Sequence, residues 1–307
     1  PMRGEEAMRN ALRKEGKATK AHRPPIRPGR IALYAVLCVT AVLLLLPIVL
    51  TFLYSFFPPK EMGAYLKTRN NYQAGVWMDI LLSPAQFSLR QYYTVLIEKP
   101  KYLNLFVNSV KYTGVILLGQ AMVIPAMAYA LSRFRFHGRD LLFFCVLALM
   151  LLPFQVTMAP SVITMRALGL MNTVWAVILP MIFSPFYVFL LRQFMIGLPN
   201  ELLEAGMIDG AGTGRCFIYI VLPVCRPILG AAVALSFADC WNMVEQPLIY
   251  LAASQNKQPL SVLFNQLSTE NADVAFAGAA LYILPALLIY RYFQEDILLG
   301  VQLSELK

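Results

Sequence analysis

Histidine is almost missing from this chain: only His22 and His137 occur among its 307 residues. A structural zinc site draws on cysteine and histidine at short, regular spacings, and no such spacing occurs here. The five cysteines, Cys38, Cys145, Cys216, Cys225 and Cys240, are odd in number, and four lie in or close to apolar stretches. No disulfide framework and no bound metal are therefore expected. Gly-Lys-Ser and Gly-Lys-Thr are also missing, and one of them must end a phosphate-cradling loop of the form Gly-x4-Gly-Lys-Ser/Thr. The stretch Gly210-Ala211-Gly212-Thr213-Gly214-Arg215 is glycine-rich but wrongly spaced, and reads as a turn. The chain is expected to be no ATPase and no enzyme, with no catalytic residue and no cofactor of its own.

Charge is the scarcest property. Charged residues make up 14% of the chain, against about 25% in a soluble domain. Hydrophobic residues make up 58%, and the mean hydropathy is +0.59. Residues 31–59, 112–132, 141–165 and 167–191 carry no charge. Residues 227–256 carry only Asp239 and Glu245, and residues 274–290 form a shorter, dense apolar run. Runs of about 20 apolar residues match a hydrocarbon core about 30 Å thick. Backbone polar groups in hydrocarbon need internal partners, so these runs are expected to be helices. A membrane β-barrel would alternate in segments of about 10 residues, which this sequence does not do. The expectation is an all-α membrane protein with six spans, near 31–57, 108–132, 140–159, 172–196, 228–252 and 273–292. The first is read as an uncleaved anchor. It is longer than a signal h-region of about 7–15 residues, and no small-x-small site follows it.

Positive charge sets the orientation. Residues 1–30 hold nine Lys and Arg against Glu5, Glu6 and Glu15. Residues 133–139 and 192–226 hold three each, and these alternate connections place both termini in the cytoplasm. The outer loop, 58–107, carries six cations, but long loops weigh less in this rule. Residues 1–30 form a basic tail. It reads either as an anchor drawn to anionic lipid or as a regulatory arm, and it lacks the aromatic interleaving of a nucleic-acid binder. The outer loop is rich in aromatics: Tyr65, Tyr72, Trp77, Phe87, Tyr92, Tyr93 and Tyr102. They read either as interfacial side chains or as a contact for an external partner.

The cytoplasmic loop 197–226 carries the most information. In Gly197-Leu198-Pro199-Asn200-Glu201-Leu202-Leu203-Glu204-Ala205-Gly206-Met207-Ile208-Asp209-Gly210, Asn200 reads as an N-cap. Glu201 and Glu204 suit the positive end of a helix. Leu203 and Met207, four apart, share a face, and Gly210 is a stop. A second helix is expected from Thr213 to Pro223. On residues alone, this amphipathic helix lies on the membrane, packs on neighbouring loops, or docks a partner.

The spacing of Glu204-Ala205-Gly206, Gly210, Ile220, Leu222 and Pro223 resembles the "EAA" loop of ABC importer permeases, Glu-Ala-Ala-x3-Gly-x9-Ile-x-Leu-Pro. Asp209-Gly210 matches the Asp-Gly of the sugar-type subgroup. Asn108-Ser109, the stretch Ala128-Tyr129-Ala130-Leu131-Ser132-Arg133-Phe134-Arg135-Phe136, Leu168-Gly169-Leu170-Met171-Asn172-Thr173, and Trp241-Asn242 followed by Pro247-Leu248-Ile249-Tyr250-Leu251 extend the likeness. Together they resemble the six-span partner of the maltose-type permease pair. Two departures stand out: Gly206 replaces Ala, at a helix cost of about 1 kcal/mol, and the chain ends Leu303-Ser304-Glu305-Leu306-Lys307 rather than in small residues closing with Lys-Gly.

The resemblance implies a bacterial inner-membrane permease subunit of a binding-protein-dependent importer of a carbohydrate or sugar derivative. It implies a second permease, two ATPase subunits that bind ATP and magnesium, and an extracytoplasmic binding protein. Leu203, Glu204, Ala205, Gly206, Met207, Asp209, Gly210, Leu222 and Pro223 would form the ATPase-coupling surface. In the fifth span, Asp239, Trp241, Asn242, Glu245 and Gln246 are candidates for the substrate pathway, with 239, 242 and 246 on one helical face. Ionisable groups in a membrane usually face a bundle interior or a watery cavity. An equal reading is that they hold the two permeases together. A non-sugar cargo such as a glycerophosphodiester, an export role, a stand-alone transporter and a membrane anchor are the alternatives.

Overall fold

The computed structural model describes residues 28–70, 83–265 and 272–305. The expected basic tail lies almost wholly outside them. Every regular element among the described residues is a helix. The chain divides after Leu50 into two units. The first is described from Pro28 and consists of helix α1 (Pro28–Tyr54), which runs on into the second. α1 is apolar all round, and its side chains from Leu33 to Val49 are exposed, as suits a helix whose solvent is lipid.

The second unit holds α2 (Pro59–Asn70), the short α3 (Arg90–Tyr93), α4 (Pro100–Arg133), α5 (Arg139–Leu151), α6 (Phe154–Ala167), α7 (Trp175–Ile182) and α8 (Pro185–Ile196). It continues with α9 (Asn200–Ile208), α10 (Thr213–Val224), α11 (Arg226–Trp241), α12 (Glu245–Tyr250), α13 (Leu260–Asn265) and α14 (Ala272–Glu305). Four stretches are long and apolar enough to span a membrane unaided: Ala32–Tyr54, Pro100–Arg133, Trp175–Ile196 and Val274–Leu298. Six spans result when two bent pairs each count as one.

Those bends depart from the straight spans expected from hydropathy. The run expected at 140–159 is broken, with α5 and α6 meeting at 109°. Leu152 and Pro153 are both extended there, because a proline disfavours helical backbone in the residue before it. α10 and α11 meet at 75°. The run expected at 228–252 stops at Trp241 and restarts at Glu245. Pro247 explains this break: lacking an N–H, it cannot bond the Met243 carbonyl. That carbonyl accepts the Ser261 hydroxyl instead, at 2.5 Å. The expected second span begins earlier than 108, at Pro100, whose fixed φ suits a first helical position. Its 34 residues reach about 50 Å, well beyond the hydrocarbon.

The segment expected as a loop at 58–107 is partly helical. Gln91 is fully buried and its amide donates to the Tyr54 and Phe57 carbonyls at 2.9 and 2.8 Å, joining α3 to the end of α1. Of the aromatics noted there, Tyr102 is buried, Tyr92 bonds Ser55 at 2.7 Å, and Phe87 is exposed. The side chains of Tyr65, Tyr72 and Trp77 lie outside the described residues.

Three apolar clusters organise the unit. One, around Ile124, Tyr129, Val188, Leu191, Val221 and Cys225, joins the C-terminal parts of α4 and α8 to α10. A second, around Tyr112, Ile116, Val177, Cys240 and Tyr250, joins α4, α7, α11 and α12. The third, around Val95, Leu105, Leu260 and Val274, gathers at the N-terminal end of α4. Between them sits a buried polar staple: Gln120 of α4 donates to the Met181 carbonyl at 2.7 Å and accepts from the Ser236 hydroxyl of α11. A buried polar group must be paired to be tolerated, so this staple fixes α4, α7 and α11 in register.

Candidate coupling loop and pathway face

The resemblance motifs each have a physical task. Asn108 donates to the Asn256 and Gln258 carbonyls at 2.9 and 3.2 Å, and the Ser109 hydroxyl accepts the Leu260 N–H at 2.9 Å. They pin the turn that follows α12. Asn172 has φ 60, a left-handed conformation that asparagine tolerates better than most residues. Its side-chain oxygen accepts the Ala253 N–H at 3.1 Å, and its own N–H bonds the Tyr250 carbonyl at 2.8 Å. The turn before α7 is thereby tied to the end of α12.

In the loop, α9 runs from Asn200 to Ile208 and leaves Glu201, Leu202, Glu204, Ala205, Met207 and Ile208 exposed. Leu203 packs against the first apolar cluster, whereas Met207 is 51% exposed. The shared face expected for these two is corrected: the face turned inward is Leu203 with Gly206, and Met207 lies at its edge. Gly206 is buried, and a Cβ there would stand 2.5 Å from Cδ1 of Ile220. Glycine therefore admits the Ile of α10, which gives Gly206 a packing role beyond its helix cost.

Gly210 ends α9 at φ +83. The Ala211 N–H returns to the Gly206 carbonyl and the Gly210 N–H to the Met207 carbonyl, at 2.9 and 3.0 Å. This is the 6→1 and 5→2 pattern of a glycine-terminated helix. Asp209 is exposed at this end. In α10, residues Phe217–Val221 widen into a π-turn just before Leu222 and Pro223. Pro223 supplies the cause, since it cannot donate to the preceding turn and its ring crowds it.

Asn200 does not cap α9. The helix makes no side-chain cap bond, and the Asn200 side-chain oxygen instead accepts Arg133 Nη1 at 2.5 Å. A charge-assisted bond is about twice as strong as a neutral one, so the guanidinium outcompetes the orphan backbone N–H.

The span-five candidates divide at the break. Asp239, near the end of α11, is exposed and accepts the hydroxyl of buried Tyr187 at 2.6 Å. Asn242 lies in the break, its amide on the Ala238 carbonyl at 2.9 Å and its oxygen accepting from Tyr282 at 3.2 Å. Glu245 opens α12, exposed, and accepts from the Gln155 amide of α6 at 3.4 Å. Gln246 beside it is half-buried. The break removes the single helical face expected for 239, 242 and 246.

Trp241, the aromatic member of the pathway candidates, is not at the surface. It is 2% exposed and lies between Phe237 and Tyr282, stacked at centroid distances of 5.4 and 5.1 Å. Its Nε1–H bonds the Tyr282 carbonyl at 3.1 Å. Its ring therefore holds α11 to α14.

Residues 121–296 match the family model for the binding-protein-dependent transport system inner membrane component. The chain belongs to this family. It is a multi-pass inner-membrane permease component, not an enzyme, and it works within a multi-subunit importer. Its relatives include the arabinooligosaccharides transport system permease protein AraQ of Halalkalibacterium halodurans, 32% identical over 74% of this chain and 82% of the relative. AraQ of Bacillus subtilis is 30% identical over 93% of this chain and 99% of its own. The sn-glycerol-3-phosphate transport system permease protein UgpE of Yersinia pestis is 30% identical over 66% of this chain and 73% of its own. A crystal structure of a bacterial ABC transporter involved in the import of the acidic polysaccharide alginate shares the fold. Its TM-score is 0.75 at 22% identity, covering 90% of this chain and 99% of that one.

Sequence reading of the permease missed Tyr187, Gln155 and Tyr282, the partners of the span-five polar groups. It also gave no separate role to Arg133 and Arg192. The signal for Arg133 is position: it stands in the last turn of an apolar helix, where unpaired carbonyls attract cations.

Proposed function

We propose that this permease moves a carbohydrate or sugar derivative, as one wall of a pathway completed by a second permease. Two ATPase subunits, carrying ATP and magnesium, dock below the permease pair, one of them on α9, and an extracytoplasmic binding protein delivers the cargo. Both termini lie in the cytoplasm. Closure of the ATPases on ATP pushes α9 and tilts the spans between inward and outward states. The observation that carries this reading is α9 itself: its inner face is spent on Leu203 and Gly206, yet Leu202, Met207 and Ile208 remain exposed around Glu204. Exposed apolar side chains around a carboxylate suit a cleft in a partner.

A sugar is favoured by the names of the AraQ relatives and by the charge at the break. Among the described residues the ion pairs are Arg90–Glu98 and Arg139–Asp140, so Asp239 and Glu245 remain unneutralised. Two exposed carboxylates repel an anionic cargo and accept hydroxyl hydrogen bonds. This weighs against a glycerophosphodiester.

The test is co-purification in mild detergent after expression with the neighbouring genes, followed by mass spectrometry. An ATPase and a second permease should accompany the wild-type chain. Glu204→Lys should strip off the ATPase alone. If the chain comes out unaccompanied and the substitution changes nothing, the docking reading fails.

A further inference from the structure

Helices α4 and α8 end on the same side, and each supplies the arginine that bonds the other's terminal carbonyls. Arg192 of α8 donates from Nε to the Leu131 carbonyl near the end of α4 at 3.2 Å. Arg133, the last residue of α4, donates from Nη2 to the carbonyls of Met195, in the last turn of α8, and Leu198, just beyond it, at 2.6 and 2.7 Å. The last four carbonyls of a helix have no partner within it and carry its negative pole, so both cations sit where the field favours them. Arg192 is further held with its guanidinium carbon 3.5 Å over the Phe143 ring of α5.

Arg133 does more than cap. Its Nη1 reaches the side-chain oxygen of Asn200, the first residue of α9, at 2.5 Å. One planar guanidinium thus grips the inner end of α4, the inner end of α8 and the start of α9. A lysine, a single point charge on a flexible stem, cannot reproduce that fork. The other end of α9 is held by a different device, Gly206 against Ile220. α4 in turn carries Gln120, which is bonded to both α7 and α11 in the membrane.

We infer that Arg133 is a positioning residue for coupling: through Asn200 it makes the first turn of α9 and the inner ends of α4 and α8 move as one body. A push on α9 then arrives at α4 and, through Gln120, at the broken helix that bears Asp239 and Asn242. This inference rests on the reading that α9 docks an ATPase.

The test uses the intact complex purified through the full chain, with the exposed cysteines Cys38 and Cys145 replaced by serine. A bimane fluorophore is placed at Arg135→Cys, an exposed position just beyond α4. In otherwise wild-type complex, magnesium-ATP with vanadate should change the bimane signal. Arg133→Lys and Asn200→Ala should abolish that change while the ATPase remains bound and hydrolyses ATP. Asn200→Asp, which keeps the acceptor and adds charge, should retain it. A purely structural role would lower stability in all three without separating Asn200→Asp from Asn200→Ala. Bound ATPase with a wild-type signal change in Arg133→Lys and Asn200→Ala overturns this inference alone. Absence of any ATPase from the wild-type preparation sinks the docking reading and this inference with it. Asn200→Ala keeps the test decisive if Arg133→Lys does not fold.

Discussion

Two glycines in this chain face the same substitution with different geometry, and their contrast tests the packing argument. At Gly206 an added Cβ meets only Cδ1 of Ile220 closely, at 2.5 Å, and the next neighbour, Cys216 Sγ, stands at 3.5 Å. Cδ1 is the far end of a flexible side chain. Rotating it away costs about 0.5–1.5 kcal/mol, and alanine returns about 1 kcal/mol of helix propensity. Gly206→Ala should therefore be close to neutral. At Gly230 the added Cβ meets Asp296 Oδ2, Cγ and Cβ at 2.4, 2.7 and 2.8 Å. No rotamer moves a Cβ, so α11 and α14 must part until that contact reaches about 3.5–4.0 Å. Overpacking of this kind costs about 3 kcal/mol at its upper range. Less the same propensity gain of about 1 kcal/mol, Gly230→Ala should lose about 2 kcal/mol. That corresponds to a fall of about 4–8 °C in the unfolding midpoint, read by scanning fluorimetry of the purified protein in detergent. Asp296→Ala leaves its Cβ in place and should rescue only part of the loss, whereas Asp296→Gly clears the obstacle. Equal costs at the two glycines, or full rescue by Asp296→Ala, would refute the reasoning.

Two further outcomes follow from the same geometry. Trp241→Ala removes a ring enclosed by Phe237 and Tyr282 and should cost about 3–5 kcal/mol, seen as lost monodisperse protein in size-exclusion chromatography; a stable variant with weakened cargo binding would instead mark a surface platform. Asn172→Ala should cost about 1–2 kcal/mol, because alanine resists the left-handed backbone and the bond to the Ala253 N–H is lost. Asn172→Gly should cost less, since it keeps the backbone and loses only the bond, and a thermal melt of both variants separates the two contributions.

The apolar runs and the loop motif were legible because each has a local cause. Hydrocarbon thickness fixes run length, and the Gly210 stop needs only its own positive φ. What stayed hidden was non-local. Asn200 has every local mark of a cap, but the guanidinium that takes its oxygen comes from a residue 67 positions earlier. Hydropathy does not register a helix break, because the backbone can leave the helix without any change in side-chain polarity. The signals that do register breaks were present in Pro153 and Pro247, each beside a place where the helix stops. Trp241 was misread for a related reason. Aromaticity says what a ring can do, and only the packing of Phe237 and Tyr282 says that both its faces are taken.

The break at 242–244 also explains why polar and apolar residues alternate so closely in this segment. Within a few positions the chain exposes Asp239, Asn242 and Glu245 while burying Cys240, Trp241 and Met243. A continuous helix turns about 100° per residue, so it would keep 239, 242 and 245 within about 120° of arc and set buried Met243 only about 40° from exposed Asp239. Leaving the helix at Asn242 and re-entering at Glu245 gives each polar group a separate anchor instead: Tyr187 for Asp239, Tyr282 for Asn242 and Gln155 for Glu245. Those anchors come from α8, α14 and α6, so the orientation of the polar groups depends on the relative placement of three further helices. Carboxylates held this way are costly to present to lipid, and the cost disappears where a wet pathway or a second wall covers them. That energetic requirement is the physical reason for proposing a paired permease. If the proposed coupling through Arg133 holds, a tilt of α4 or α8 changes the hydrogen bonds that orient Asp239 and Asn242.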